Sequence, residues 1–299
     1  MKIIILTGPT ATGKSTLSIE LAENFPFEII NCDSMQVYKY FNIGTDKPHD
    51  NVIRKYPHHL LGYVEPTTDY NVKIFTKHAN KKIKEIIARG KIPLLVGGTG
   101  LYIKCLLFGI IEENDNKEKI LREKLKSFET NYLYNKLKIL DFESFKKING
   151  NDRYRIVRAL SYFYANGKPI SAMIKQHGFQ KSEFNYMKFS INFNRELLYK
   201  KINLRVDKMI EKGLIEETEH LIAEGFSDTR PMKGIGYREI KLYLNGELSK
   251  KRAIELIKQN SRKYAKRQIT WFKKETDLNI IDLKNKEAFF EKVKNFLQE

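Results

Sequence analysis

The apolar run Ile3-Ile4-Ile5-Leu6 leads straight into Gly8-Pro9-Thr10-Ala11-Thr12-Gly13-Lys14-Ser15, and helix-spaced Leu17, Leu21, Ala22 and Phe25 follow. No other stretch restricts the fold as strongly. The eight residues satisfy G-x-x-x-x-G-K-[ST] at every fixed position, in the strand-then-helix setting that pattern requires. Gly8 and Gly13 let the backbone wrap so closely that successive N–H groups turn inward. Lys14 adds a point charge, and the helix beginning near Ser15 adds its positive dipole end. The prediction is a cup for a phosphate chain at the end of a buried strand. A plain strand-turn-helix is the bland alternative, and the loop alone names neither the phosphate compound nor a reaction.

Composition decides what surrounds that cup. With 299 residues, 41% of them hydrophobic, the chain can bury one sizeable core, as one large domain with an elaboration or as two modest ones. No apolar run approaches the ~18 residues of a membrane span, and the start is too short for a signal peptide, so a cytoplasmic protein without membrane contact is expected. Cys32 and Cys105 lack C-x-x-C spacing, which argues against disulfides and structural zinc. Cys32 beside Asp33 reads as a small buried thiol at a strand end. The pair His58-His59 suggests a metal, but neighbours on an extended segment face opposite ways. A formal charge of +18 indicates a polyanionic partner, and nucleic acid is the natural one. The alternative is a lysine-rich solvated surface, which would scatter charge rather than concentrate it.

Phe27 to Asn31 reads as a second buried strand that delivers Asp33-Ser34-Met35-Gln36-Val37-Tyr38 to the edge where open α/β sheets collect ligands. A carboxylate there can hold Mg²⁺ through water, take a proton, or merely cap the next turn. Gly44-Thr45-Asp46-Lys47-Pro48 is a turn in which Thr45 and Lys47 are expected to remain free to bind. Val72, Phe75, Ala79, Ile83, Ile86 and Ile87 recur at helical spacing up to Gly90. Ile92 to Val96 is the next core strand, and Gly97-Gly98-Thr99-Gly100-Leu101-Tyr102 lets backbone approach a ligand, with Thr99 as a hydroxyl donor.

From about Glu112 the β-branched runs stop, and helical segments take over to about Lys181, through Leu121, Leu125 and Phe128, then Leu133, Leu137 and Leu140, then Ile156, Leu160 and Phe163. The expected architecture is therefore a parallel α/β core formed by residues 1–111 and 182–299, with an all-helical insertion over 112–181. Within it Arg155 and Arg158 lie three apart on one helix face beside Arg153, an arrangement suited to phosphate or simply to solvent. Met187 to Phe193 reads as a returning strand, and Lys233-Gly234-Ile235-Gly236-Tyr237-Arg238 as a glycine-spaced turn into a helix. Over Lys250–Lys274, Ala253, Ile257, Asn260, Tyr264, Gln268 and Trp271 form one stripe, while nine lysines and arginines cover the remainder. Basic residues interleaved with aromatics suit nucleic-acid backbone and base stacking, unless their stems only cover the core. A strand over Asn279 to Leu283 and an amphipathic helix close the chain.

Taken together, Gly8-Pro9-Thr10-Ala11, Asp33-Ser34-x-Gln36-Val37-Tyr38, Gly44-Thr45-x-Lys47-Pro48, Gly97-Gly98-Thr99-Gly100-Leu101-Tyr102, Arg158-Ala159-Leu160, Gly236-Tyr237-Arg238 and Ala265-Lys266-Arg267-Gln268-Ile269-Thr270-Trp271 resemble the bacterial tRNA dimethylallyltransferase (tRNA isopentenyltransferase) family, in family order over nearly the whole chain. The resemblance implies a P-loop NTPase-like fold. It also implies transfer of a dimethylallyl group from its diphosphate to the exocyclic N6 amine of the adenosine on the 3′ side of the anticodon, position 37, with release of diphosphate. Gly8, Pro9, Thr10, Ala11, Thr12, Gly13, Lys14 and Ser15 would then hold the diphosphate rather than a nucleotide, with Ser15 on Mg²⁺. Asp33 would be the general base, with Lys14, Thr99 and Arg238 completing the catalytic group. Contacts to the tRNA anticodon stem-loop would come from Asp33, Ser34, Met35, Gln36, Thr99, Arg122, Tyr154, Arg155, Ile156, Val157 and Arg158. Further along, Lys233, Gly234, Ile235, Gly236, Tyr237, Arg238, Lys266, Arg267, Gln268, Ile269, Thr270, Trp271, Phe272 and Lys273 would join them. The expected partners are that stem-loop and dimethylallyl diphosphate, acting on a monomer. One departure stands out: the family commonly carries Glu after Arg-Ala-Leu, where this chain has Ser161.

The chemistry suits these residue types. An aromatic amine attacks poorly because its lone pair is delocalised, and the leaving diphosphate accumulates charge. A base answers the first difficulty, and a cationic cup with Mg²⁺ the second. A stacked adenine must also be turned out to react. The rivals are a P-loop kinase, an adenylate isopentenyltransferase acting on free AMP, and an RNA-stimulated P-loop ATPase.

Overall fold

The structure is a computed structural model that describes residues 1–111, 115–179 and 181–298. The chain runs β1 (Lys2–Thr7), α1 (Lys14–Asn24), β2 (Phe27–Asn31), α2 (Asp50–Lys55), β3 (His58–His59), α3 (Val72–Ala88), β4 (Ile92–Gly97) and α4 (Gly100–Phe108). Next come α5 (Asp115–Leu125), α6 (Thr130–Leu140), α7 (Phe142–Lys147), α8 (Arg153–Asn166) and α9 (Ile170–His177). The last part comprises β5 (Asn185–Ile191), α10 (Arg195–Glu211), α11 (Leu214–Ala223), α12 (Tyr237–Leu244), α13 (Lys250–Phe272), β6 (Leu278–Ile281) and α14 (Lys286–Gln298).

The strands form a six-stranded sheet in the order β3-β2-β4-β1-β5-β6, with every pairing parallel. Parallel strands are covered on both faces, which is why Ile3, Ile4, Ile5 and Leu6 are wholly buried without alternation. Thr7 pairs with Gly97 on one side and Ser190 on the other, and Asn31 pairs with Val96, so the first, second and fourth strands end at one rim. The chain leaves β1 for β2 on one side of the sheet and returns to β5 on the other. This switch point is where such sheets bind ligands. Leu17 and Leu21 of α1 and Phe289, Val293 and Phe296 of α14 pack with the strands in one core.

Two strands sit off their expected positions. The fifth spans Asn185–Ile191 rather than 187–193, and the sixth ends at Ile281 rather than Leu283. In both, the pairing partner set the limits. Asn185 pairs with Lys2 and Ile281 with Ile191, the ends of the available ladders.

The chain divides into two compact units, residues 1–107 with 183–299, and residues 108–182. The second unit begins a few residues before the composition change near 112, because Ile111 packs on its core. Its described residues contain α5 to α9 and no strand. Leu125, Leu133, Leu137, Ile156, Val157, Leu160 and Tyr162 fill that core. Asp152 caps α8 by accepting from Arg155 N–H, and Gly167 ends it in the left-handed conformation (φ 68°). Phe128, expected on the apolar stripe, is instead 45% exposed and stacked on Tyr132.

Candidate active site at the rim of the sheet

The loop after β1 has the shape its sequence requires. Gly8 adopts φ +125°, and a Cβ there would lie 2.5 Å from Ser190 Oγ, so a side chain is excluded twice over. Gly13 precedes α1 at φ 100° and offers no side-chain cap. Among the described residues, no protein acceptor receives the backbone N–H groups of residues 11–16. Six amides left without partners at a helix start suit an anion. Lys14 lies within the loop, its Nζ donating to the carbonyls of Gly8 (3.0 Å) and Pro9 (2.6 Å). Burial of that ammonium and the Arg205 charge push its pKa down to about 7, with Asp33 opposing the shift. Ser15 is exposed at the start of the helix.

Asp33 sits on the neighbouring rim. Its Oδ1 accepts from Met35 N–H (2.8 Å) and Gln36 N–H (3.3 Å). No hydrogen bond to its Oδ2 occurs among the described residues, so one oxygen is fixed and the other is available. Thr99 Oγ1 accepts from Ser34 N–H at 3.2 Å, tying the third rim loop to the second. Tyr264 of α13 lies beside Thr99. Burial and the Asp33 carboxylate raise its phenol pKa, while Thr99, Arg267 and Arg205 pull the other way. Arg205 of α10 bonds Thr10 Oγ1 and pairs with Asp46 at 2.9 Å. Arg205, Asp46 and Tyr264 belong to this site, but no motif announces them. Asp46 comes from the turn over residues 42–48, and only tertiary packing of α10 and α13 brings Arg205 and Tyr264 to the rim.

The turn over residues 42–48 corrects an expectation. Thr45 and Lys47 are not free to bind. The Thr45 hydroxyl is buried and donates to Phe41 O at 2.7 Å. Lys47 Nζ donates to Tyr38 O and, at 3.0 Å, to Asn42 Oδ1. Its pKa is pushed down to about 8 by burial, with Glu217 opposing. The Glu217 carboxylate accepts from Ile43 N–H at 2.9 Å and from the Tyr237 hydroxyl. Gln36 Nε2 donates to the carbonyls of Thr45 (2.9 Å) and Asp46 (3.0 Å).

Tyr237 is buried and shares in that network, donating to Glu217 while accepting from Gly44 N–H at 3.0 Å. Arg238 is half exposed and held by Glu239, 2.5 Å away. Glu239 is itself buried and also accepts from Gly236 N–H and Asn260. Lys233 is exposed, Ile235 is half-buried, and Gly234 packs on Met35. On α13, Lys266, Arg267, Thr270, Trp271 and Lys273 are exposed, Ile269 is half-buried, and Gln268 and Phe272 are buried. The described residues thus split the basic stretch into an outward charged face and an inward packed one.

The helical unit is described by itself. Tyr154 and Arg155 are exposed on α8 and Arg158 is half-buried, whereas Ile156 and Val157 lie in the core, so their side chains offer no surface to a ligand. Arg153 is spent on structure, donating at 2.8 Å to Thr130 Oγ1, Lys126 O and Phe128 O. Arg122 pairs with the buried Glu118 at 2.8 Å, and its Nε donates to Ser161 Oγ at 3.4 Å. Where Ser161 replaces the family's usual Glu, a carboxylate four residues before Arg122 holds that guanidinium.

The remaining sequence candidates have ordinary roles. His59 and Arg89 both bond Glu28, each at 2.6 Å, and Cys32 is buried with its thiol pKa raised by that burial and by Asp33. Among the described residues, no cluster of three or more His, Cys, Asp or Glu could hold a metal. Nor, among the described residues, is any helix long and apolar enough to cross a membrane.

Comparison with known proteins agrees with this geometry. The sequence model of the family described as IPP transferase matches residues 36–275, and that described as isopentenyl transferase matches residues 1–63. A tRNA dimethylallyltransferase of Caldanaerobacter subterraneus is 45% identical over 280 residues, covering 91% of this chain and 89% of the relative. The crystal structure of a tRNA delta(2)-isopentenylpyrophosphate transferase from Staphylococcus epidermidis superposes with a TM-score of 0.73 at 37% identity, over 100% of this chain and 99% of the other. A eukaryotic dimethylallyltransferase captured acting on tRNA gives a TM-score of 0.81 at 31% identity, over 94% and 73% of the two chains. The P-loop NTPase-like parallel sheet, the matched span and these identities together assign the chain to the IPP transferase family, among the tRNA dimethylallyltransferases.

Proposed function

We propose that this enzyme transfers the dimethylallyl group of dimethylallyl diphosphate to N6 of the adenosine at position 37 of tRNA, 3′ to the anticodon, and releases diphosphate. The observation that carries the reading is the ring of unpaired amides at residues 11–16 around Lys14, facing a rim that holds Asp33 and Thr99. In this reading the amides, Lys14 and Arg205 bind the diphosphate and stabilise the charge it gains as the allylic C–O bond breaks. Asp33, with Oδ1 held by two backbone N–H groups, takes the N6 proton on Oδ2 as the N–C bond forms. Thr99 and Tyr264 border the reacting base. Arg238, fixed by Glu239, faces tRNA or the departing group.

Mg²⁺ fits this cup only as a partner of the diphosphate. Among the described residues the protein supplies the Ser15 hydroxyl and no cluster of acidic ligands, and an ion that keeps most of its water suits such a donor set. When bound, it would neutralise part of the leaving group's charge. The exposed basic face of α13 and the exposed Tyr154 and Arg155 would grip the anticodon stem-loop. The enzyme acts as a monomer in the cytoplasm.

The test is to incubate the protein with labelled dimethylallyl diphosphate and Mg²⁺ together with tRNA, AMP or neither. Label appearing on N6 of adenosine in tRNA supports the reading. Label on AMP, or ATP hydrolysis stimulated by RNA without label transfer, overturns it.

A further inference from the structure

The inward face of α13 meets the Gly97–Gly100 turn residue by residue. Tyr264 lies beside Thr99. One turn on, Gln268 is 6% exposed, and its amide is used at both ends. Oε1 accepts from Thr10 N–H at 2.9 Å, and Nε2 donates to Gly98 O at 3.0 Å. A further turn on, Trp271 covers Gly100 so closely that a Cβ there would lie 2.1 Å from its indole nitrogen. Trp271 Nε1 in turn donates to Glu275 at 3.0 Å, and Glu275 is paired with the buried Lys188 of β5. A Cβ on Gly98 would meet Gln268 Nε2 at 2.2 Å, so the amide and the turn fit with no slack.

From this we infer that Gln268 is a positioning residue for the anion cup and not a tRNA contact, bracing the loop after β1 against the turn after β4. Its side chain accepts at one end and donates at the other inside the protein, and burial to 6% exposure closes the rest of the amide to RNA. The Thr10 amide it binds is directly next to the unpaired amides of residues 11–16, so the strut fixes where those amides begin. The Gly98 carbonyl it binds precedes Thr99. One buried amide therefore sets the distance between the cup and the rim that carries Thr99. Its neighbours Lys266 and Arg267 are exposed, which makes α13 a helix with two jobs on two faces. The inference rests on reading the cup as a diphosphate site.

The discriminating variant is Gln268→Met, which keeps the packed volume and removes both hydrogen bonds. Binding of inorganic pyrophosphate with Mg²⁺ is measured by calorimetry, the KM for dimethylallyl diphosphate by label transfer, and tRNA affinity without donor as a function of salt. Misplacing binding groups by a fraction of an ångström weakens a preorganised site, so the expected result is a roughly 10-fold rise in pyrophosphate Kd and donor KM. The tRNA Kd and its salt slope should stay within about twofold. Weaker tRNA binding with unchanged pyrophosphate binding would make Gln268 an RNA contact and overturn the inference, and so would a variant that changes neither. If Gln268→Met does not fold, Gly98→Ala, which pushes on the strut from its other end, must give the same donor-selective defect. Failure of the wild-type chain to label tRNA, with pyrophosphate binding intact, would reject the proposed reaction but leave the strut standing.

Discussion

Two glycine turns, residues 8–15 and residues 42–48, each carry a lysine that the sequence offers for binding, the first on a far more specific pattern than the second. The structure separates them by what their backbone amides do. In the first, the N–H groups of residues 11–16 have no protein acceptor among the described residues. In the second, Glu217 and Tyr237 take the N–H groups of Asn42, Ile43 and Gly44, and Lys47 covers carbonyls. Both lysines are pushed well below the ordinary value, to about 7 and about 8, chiefly by burial. A depressed lysine therefore does not identify the anion site. Unspent amides do.

That contrast can be broken by substitution. Lys14→Met should lower kcat/KM for the donor by about 10³-fold or more, since it removes a charge aimed at the leaving group. Lys47→Met should leave donor kcat/KM within a few-fold. Equal losses in the two variants would remove the distinction.

Stability should sort them next. Removing one side of the second turn's network, as in Glu217→Gln, weakens the acceptor for buried N–H groups and should cost about 1–3 kcal/mol in denaturant unfolding. Loosening Asp46 and hence Arg205 should also raise the donor KM modestly.

A pH comparison reads the two lysines through their protons. For both lysines the folded pKa lies below the unfolded value of 10.5, so the unfolded chain binds more protons between about 7 or 8 and 10.5, and stability rises with pH across that window. Lys14→Met should raise Tm near pH 7 and lose that advantage by about pH 10. Pyrophosphate binding supplies the opposite sign. An anion in the cup raises the Lys14 pKa, so binding takes up a proton, and affinity falls as pH rises above about 7. The difference in pH slope between wild type and Lys14→Met, measured calorimetrically, isolates that proton from those of pyrophosphate itself.

How far the sequence could be read follows from how local each requirement is. Gly8, Gly13 and Lys14 were legible because a tight turn before a helix fixes residue types over eight positions. Asp33 and Thr99 were legible as strand-end residues, since parallel strands deliver their loops to one rim. Arg205 and Tyr264 were not, because their places depend on how α10 and α13 pack, which helical spacing does not specify. Gln268 stood on the stripe of α13 away from the basic residues, yet the family resemblance grouped it with the tRNA contacts. The two bonds to Thr10 and Gly98, invisible in the sequence, are what the positioning inference rests on. Ile156 and Val157 show the converse, for helical spacing already placed Ile156 in the core where the structure finds both.

The central claim joins the cup to Asp33, and single-turnover label transfer by Asp33→Asn at saturating donor and tRNA tests it most directly. The account predicts a rate at least about 100-fold below wild type, with pyrophosphate and tRNA affinities within about threefold. A rate near wild type would contradict it, leaving the carboxylate as no more than the cap that its bonds to Met35 and Gln36 provide.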